Sequence, residues 1–199
     1  MADTGAPHFI PYVEPTDLVR EYPAADEAQA FAVAAGLTAA GNAGIGSNVV
    51  QTVRTDTFSA SLAAGGEVSG DAIAATITPS SDTAKVLVIV QFSGSVNSDT
   101  QSLHGLLYKA GSVTAYLGDA AGSRQRISVI ANTAAQAGGS GVIVYLDSPE
   151  TTSATTYSLR LSHNSGSTQT VFLNRSNSDV DNAFFGRAAS SITAIEVAA

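Results

Sequence analysis

Lys85-Val86-Leu87-Val88-Ile89-Val90-Gln91-Phe92 is the stretch whose reading decides the fold. Six of its eight residues are apolar and four are β-branched, which favours a pleated strand over a helix. It is too short to cross a bilayer. Pro79-Ser80-Ser81-Asp82 before it and Ser93-Gly94-Ser95 after it read as bracketing turns. Apolar residues fall on both of its faces. It is therefore expected to be covered on both sides, as the central strand of a packed sheet is.

Outward from this run, hydrophobicity alternates with period two from Asn48 onward. Predicted strands are Val49–Thr55, Ala72–Thr78, Lys85–Phe92, Leu103–Lys109, Thr114–Leu117, Arg126–Ala131, Val142–Leu146, Thr156–Ser162, Thr170–Asn174 and Ser191–Val197. Turn clusters separate them, notably Ala63-Ala64-Gly65-Gly66, Ala137-Gly138-Gly139-Ser140-Gly141 and Asn164-Ser165-Gly166-Ser167. Many short strands at this spacing predict a mainly β protein, an antiparallel β-sandwich of jelly-roll-like form.

The N-terminal part reads differently. Four of the six prolines (Pro7, Pro11, Pro15 and Pro23) fall in the first 23 residues and impose an extended path. Phe9, Ile10, Tyr12 and Val13 make this strap too apolar for a free tail, so it packs on its own domain or lies along a partner. One helix is predicted over 23–40, with Pro23 in its first turn, Asp26 and Glu27 near its positive end, and Gly41-Asn42 as its stop. Its narrow stripe, with Phe31 and Leu37 the largest members, suits either its own sheet or a symmetry mate. Ala43-Gly44-Ile45-Gly46-Ser47 reads as a hinge. The expected division is an attachment segment, 1–45, and a β-sandwich head, 46–199. Phe9, Ile10, Tyr12, Val13, Phe31 and Leu37 are the candidate docking residues.

Charged residues are 13% of the chain, about half the usual share, and Ser, Thr, Gly and Asn supply the polarity. The net charge is −8, and only nine Lys and Arg are present, scattered singly. That argues against nucleic acid and against adhesion to anionic membranes. No window is apolar enough for membrane insertion. With no cysteine there is no disulfide, thiolate metal site or cysteine nucleophile. The N-terminus lacks the basic start and apolar core of a signal peptide, so synthesis in a cytoplasm without one is expected.

Signals for catalysis are poor, no cofactor is expected, and the chain reads as a non-enzyme. His8, His104 and His163 lie far apart. Gly138-Gly139-Ser140-Gly141 lacks the nucleophile-elbow spacing, and Gly118–Arg124 lacks a phosphate-loop lysine. An Asp119–Arg124 salt bridge is the expected content of that loop. Asp119, Asp147, Glu150, Asp179 and Asp181 are the carboxylates a polysaccharide hydrolase would draw on, all in predicted turns where aspartate caps backbone amides. Asn177, Asp179 and Asp181 alternate oxygen ligands as a calcium loop does, but without its glycine and distal glutamate. Asn174-Arg175-Ser176 matches a glycosylation sequon.

Several stretches, taken in order, resemble small virion proteins of tailed bacteriophages, of the minor-tail or fibre-head type. They are Gly46–Phe58, Ile77–Val88, Leu117–Arg124, Leu146–Tyr157, Val171–Ser176, Asp179-Val180-Asp181 and Ser190–Val197; Glu21-Tyr22-Pro23-Ala24-Ala25-Asp26-Glu27-Ala28 resembles their attachment ends. The resemblance implies a homotrimeric head on a virion surface, docked to other tail or capsid proteins through residues 1–45, without catalysis. The chain has no extended stem, coiled coil or collagen-like run, so a short tail-tip protein, head fibre or capsid decoration fits as well as a tail fibre. Host surface glycans are a further expected partner, with Tyr108, Tyr116 and Tyr145 as candidates to stack on sugar rings.

Overall fold

The structure is a computed structural model and describes residues 45–98, 100–114, 116–132, 138–183 and 185–198. The strap, the predicted helix over 23–40 and the candidate docking residues Phe9, Ile10, Tyr12, Val13, Phe31 and Leu37 lie outside the described residues.

Among the described residues eleven strands follow in order: β1 (Ile45–Arg54), β2 (Phe58–Leu62), β3 (Ile73–Ile77), β4 (Lys85–Val96), β5 (Ser102–Lys109), β6 (Ser112–Val113), β7 (Val129–Asn132), β8 (Gly139–Asp147), β9 (Thr155–His163), β10 (Gln169–Leu173) and β11 (Ser190–Val197). One sheet runs β1-β11-β4-β8, with β10 following β11 along the same side of β4 and β2 beyond it. The other runs β3-β9-β5-β7, with the short β6 also beside β5. Set β2, β6 and β10 aside, and the remaining eight strands pair first with last, second with seventh, third with sixth and fourth with fifth. Nested pairing of this kind is one long antiparallel ribbon rolled on itself, a jelly roll.

The core lies between the two sheets. Val86, Val88, Val90 and Phe92 of β4 turn inward and are fully buried, in one cluster with Leu103, Leu107, Leu159 and Leu161 of the facing sheet. Two glycines make room for the Phe92 ring. A Cβ on Gly141, its partner across the β4–β8 ladder, would fall 2.5 Å from the ring. A Cβ on Gly105, in the opposite sheet, would fall 2.8 Å from it.

Several expectations are corrected here. Ser93-Gly94-Ser95 is not a turn: β4 runs on to Val96, and Gly94 is where β10 crowds its backbone, leaving 2.2 Å between a Cβ and the Phe172 carbonyl oxygen. Ile45 to Ser47 belong to β1 rather than to a hinge, with an irregular register before Val49. Gly139 to Gly141 likewise belong to β8. The described residues Thr114, Tyr116 and Leu117 are not in a strand; the pairing residues are Ser112 and Val113. Strand β2 went unpredicted because its serines and alanines carry little hydrophobic signal.

One residue holds the point where β11 gives way to β10 along β4. Asn174 adopts a left-handed conformation (φ 61°), which asparagine tolerates. Its Nδ2 donates to the carbonyls of Arg54 (2.8 Å) and Asp56 (2.9 Å), across the break between β1 and β2. Its Oδ1 accepts from the Ser190 hydroxyl, and its backbone N–H donates to Ser93. Fully buried and bonded in this way, Asn174 is no acceptor for a glycan, whatever its sequon.

Candidate interaction surface

The outward side chains of the first sheet form a regular grid, because strands in register place same-face residues side by side. One row is Leu146, Leu87, Ile195, Val49, crossing β8, β4, β11 and β1. The next is Val144, Ile89, Thr193, Gln51, and the third Val142, Gln91, Ser191, Val53. Eight of these twelve residues are apolar, and none is charged. Val142, Val144 and Leu146 are 55%, 51% and 48% exposed, and Val49 and Val53 are exposed to a similar degree. Gln51 Nε2 donates to Thr193 Oγ1 at 2.9 Å, so part of the polar minority is satisfied within the grid. With strands about 4.8 Å apart and same-face neighbours about 6.8 Å apart, the grid covers roughly 400 Å². Patches of that size on a monomer are commonly functional.

Among the described residues the expected double cover of the central strand is thus met on one side only. The inner face of β4 packs on the second sheet, while Leu87 and Ile89 look out with no described element over them.

Much of the outer face of the second sheet is built in the opposite way, although Ile130 of β7 stays exposed on it. The segment 116–128 reaches over it: Gln125 meets His104 Nδ1 at 3.1 Å through Oε1 and donates to the Ser162 hydroxyl through Nε2 at 3.0 Å. Burial holds the His104 imidazolium pKa below the ordinary histidine value, against the pull of Gln125 and with a smaller push from His163. Beside it the Arg160 guanidinium lies 4.0 Å from the centre of the Tyr108 ring and meets Asp71, whose carboxylate also accepts from Ser158. The Tyr108 hydroxyl donates to Glu67, and burial, then that carboxylate, raise its pKa. Leu106 also faces outward here, yet it is only 2% exposed.

The predicted site residues do not come together as one site. The Asp179 carboxylate is shared between Arg175 (2.7 Å) and Arg187, which commits the central calcium candidate to two guanidinium groups; Asp181 is exposed. Among the described residues no cluster of three His, Cys, Asp or Glu could hold a metal. Asp147 is buried, accepting from the Tyr157 hydroxyl at 2.6 Å and from Lys109 Nζ at 3.0 Å, while Asp119 and Glu150 are exposed. Burial and then Asp147 push the Tyr157 phenol far up. The expected Asp119–Arg124 bridge is not formed; Arg124 donates instead to the Ala121 carbonyl. His163 is fully buried, its Nδ1 accepting from the Ser165 amide. Of the candidate stacking tyrosines, Tyr108 is covered by Arg160, whereas Tyr116 is exposed and packs on Tyr145 with ring centres 5.5 Å apart. Among the described residues no helix is long and apolar enough to cross a membrane.

Two features escaped sequence reasoning. The bare grid was legible only as apolar residues on both faces of Lys85–Phe92. The Gln125 bridge had no local signal, because it joins residues 21 and 37 positions apart. No protein-family model matches the chain, and no curated protein matches its sequence.

Proposed function

We propose that this chain is a non-enzymatic structural protein of a phage particle. In this reading it is a homotrimeric surface appendage, a minor tail, short fibre, head fibre or capsid-decoration protein. It docks by residues 1–45 and presents its β-sandwich head on the virion surface, where host attachment follows. The observation that carries the reading is the uncharged apolar grid on the outer side of the first sheet, a surface suited to assembly with protein. The jelly roll, an architecture recurrent in viral capsid and lectin domains, supports it by analogy of fold. Gold-labelled antibody against the chain should decorate purified particles in electron microscopy. Deleting residues 1–22 should leave a folded protein that no longer joins them. Unlabelled particles, or normal incorporation of the deletion, would sink the proposal.

A carbohydrate-binding adhesin is the second reading, favoured by the exposed Tyr116 ring on Tyr145. A glycan array should then show binding that Tyr116→Ala abolishes; an array without a hit removes this reading.

A further inference from the structure

We infer that residues 117–127 are a cover over His104 that opens, with the sandwich intact, when His104 takes up a proton. The inference goes beyond the structural role proposed above and does not depend on it. Its basis is how little holds the segment down. Both of its feet are fixed on β5: the Thr114 amide donates to Leu107, the Ser128 amide to Gly105, and the Leu107 amide to the Ser128 hydroxyl. Between the feet, the bonds from Gly118 to Ile127, Arg126 to Gly118 and Arg124 to Ala121 stay inside the segment. Among the described residues only Gln125 reaches the sheet, through its bonds to His104 and Ser162. Residues 118–126 are exposed, Ala121 apart, and Gln125 is among them. Beneath it His104 is 6% exposed and Ser162 is fully buried. A segment with few buried apolar side chains and one side chain to release opens at low cost.

The trigger is the charge, not the hydrogen bond. With Gln125 Nε2 donating to Ser162, Oε1 is left to accept, so His104 Nδ1 carries the proton that meets it. A second proton enters at Nε2 and leaves that bond in place. What changes is that a cation then sits where little water reaches it. Its neighbours do not neutralise it: Ser162 on β9, Ile130 on β7 and Gln125 are all uncharged. Charged side chains further along these elements are engaged elsewhere, Arg160 with Asp71, Glu67 with Tyr108, and Arg126 with the Gly118 carbonyl. His163, fully buried on β9, adds to the cost of the charge. Opening the cover hydrates the imidazolium. It therefore becomes easier as pH falls below about 6.5, by at most about tenfold per pH unit for one proton, and levels off below the pKa of the covered form.

The chain has no cysteine, so one introduced thiol reports on one place. Ser162→Cys puts it under Gln125. Its labelling rate by a dithiodipyridine, relative to the urea-unfolded chain at the same pH, gives the open fraction. Ala194→Cys, buried on β11 in the core, reports global unfolding. The Ser162→Cys thiol should label faster than the Ala194→Cys thiol. Its open fraction should rise severalfold, and by no more than about tenfold, between pH 7.5 and pH 5.5. Adding His104→Gln should flatten that rise. Equal labelling of the two thiols, a flat open fraction, or a rise that survives His104→Gln overturns the inference. Circular dichroism checks that each variant folds, and His104→Asn stands in if His104→Gln does not. If Ser162→Cys does not fold, trypsin cleavage after Arg124 at pH 6.0 decides: it should be faster in the wild type than in the His104 variant, and equal rates overturn the inference.

Discussion

The two outer faces of this sandwich have the same origin and opposite finishes. Each is the outward half of an alternating strand pattern. Over much of the second sheet, Ile130 excepted, the chain covers its own work: Gln125 ties His104 to Ser162, Arg160 lies on Tyr108, and Leu106 is sealed from water. On the first sheet Leu146 stands half exposed in a row of four apolar residues, with no described residue over them. Leucine on the outside of a strand is thus no guide to its surroundings. What separates the two cases is whether another stretch of the chain carries side chains able to bond the polar groups beside it.

That contrast can be broken from the covered side first. Gln125→Ala removes the partner of His104 and Ser162, both buried, and should cost about 1–2 kcal/mol in urea unfolding. A loss indistinguishable from zero would mean that the segment 116–128 does not seal the face. Acid probes the same place more gently. Burial lowers the His104 pKa in the folded protein, while the unfolded chain takes up a proton near pH 6.5. The His104 contribution is therefore complete above about pH 6.5 and declines as pH falls through the window below it. The drop in unfolding free energy on acidification should shrink in a His104→Gln variant; an equal drop in both would place the proton elsewhere. The smallest effect belongs to the bare face. Val142→Thr, at an exposed position, should shift the stability of the isolated monomer by no more than about 0.5 kcal/mol. A larger loss would show that the grid already packs against part of its own chain.

The sequence made the architecture legible because alternation is local. Nine of the ten predicted strands overlap observed ones, and Thr114–Leu117 does not. Glycine misled at Gly94 and Gly141, where it was taken as turn chemistry. Both sit inside strands, at places where Phe172 and Phe92 leave no room for a side chain. Such crowding comes from residues far along the chain, and no window of sequence contains it. Asn174 is the same lesson in polar form: it looked like half of a sequon, and its bonds run to Arg54, Ser93 and Ser190. The candidate surface was half visible. Apolar residues on both faces of Lys85–Phe92 were read correctly, but which face the described residues leave open depended on the register of four strands.

One consequence follows from the place of β11, which lies between β1 and β4 and pairs with both. During synthesis the slot between those two strands stays vacant until residues 190–197 have left the ribosome. Earlier elements can collapse, yet the sheet cannot close around a missing middle, and two long ladders wait unpaired. Maturation of this domain therefore waits on its last strand, and a chain cut before residue 190 has a gap through its largest sheet.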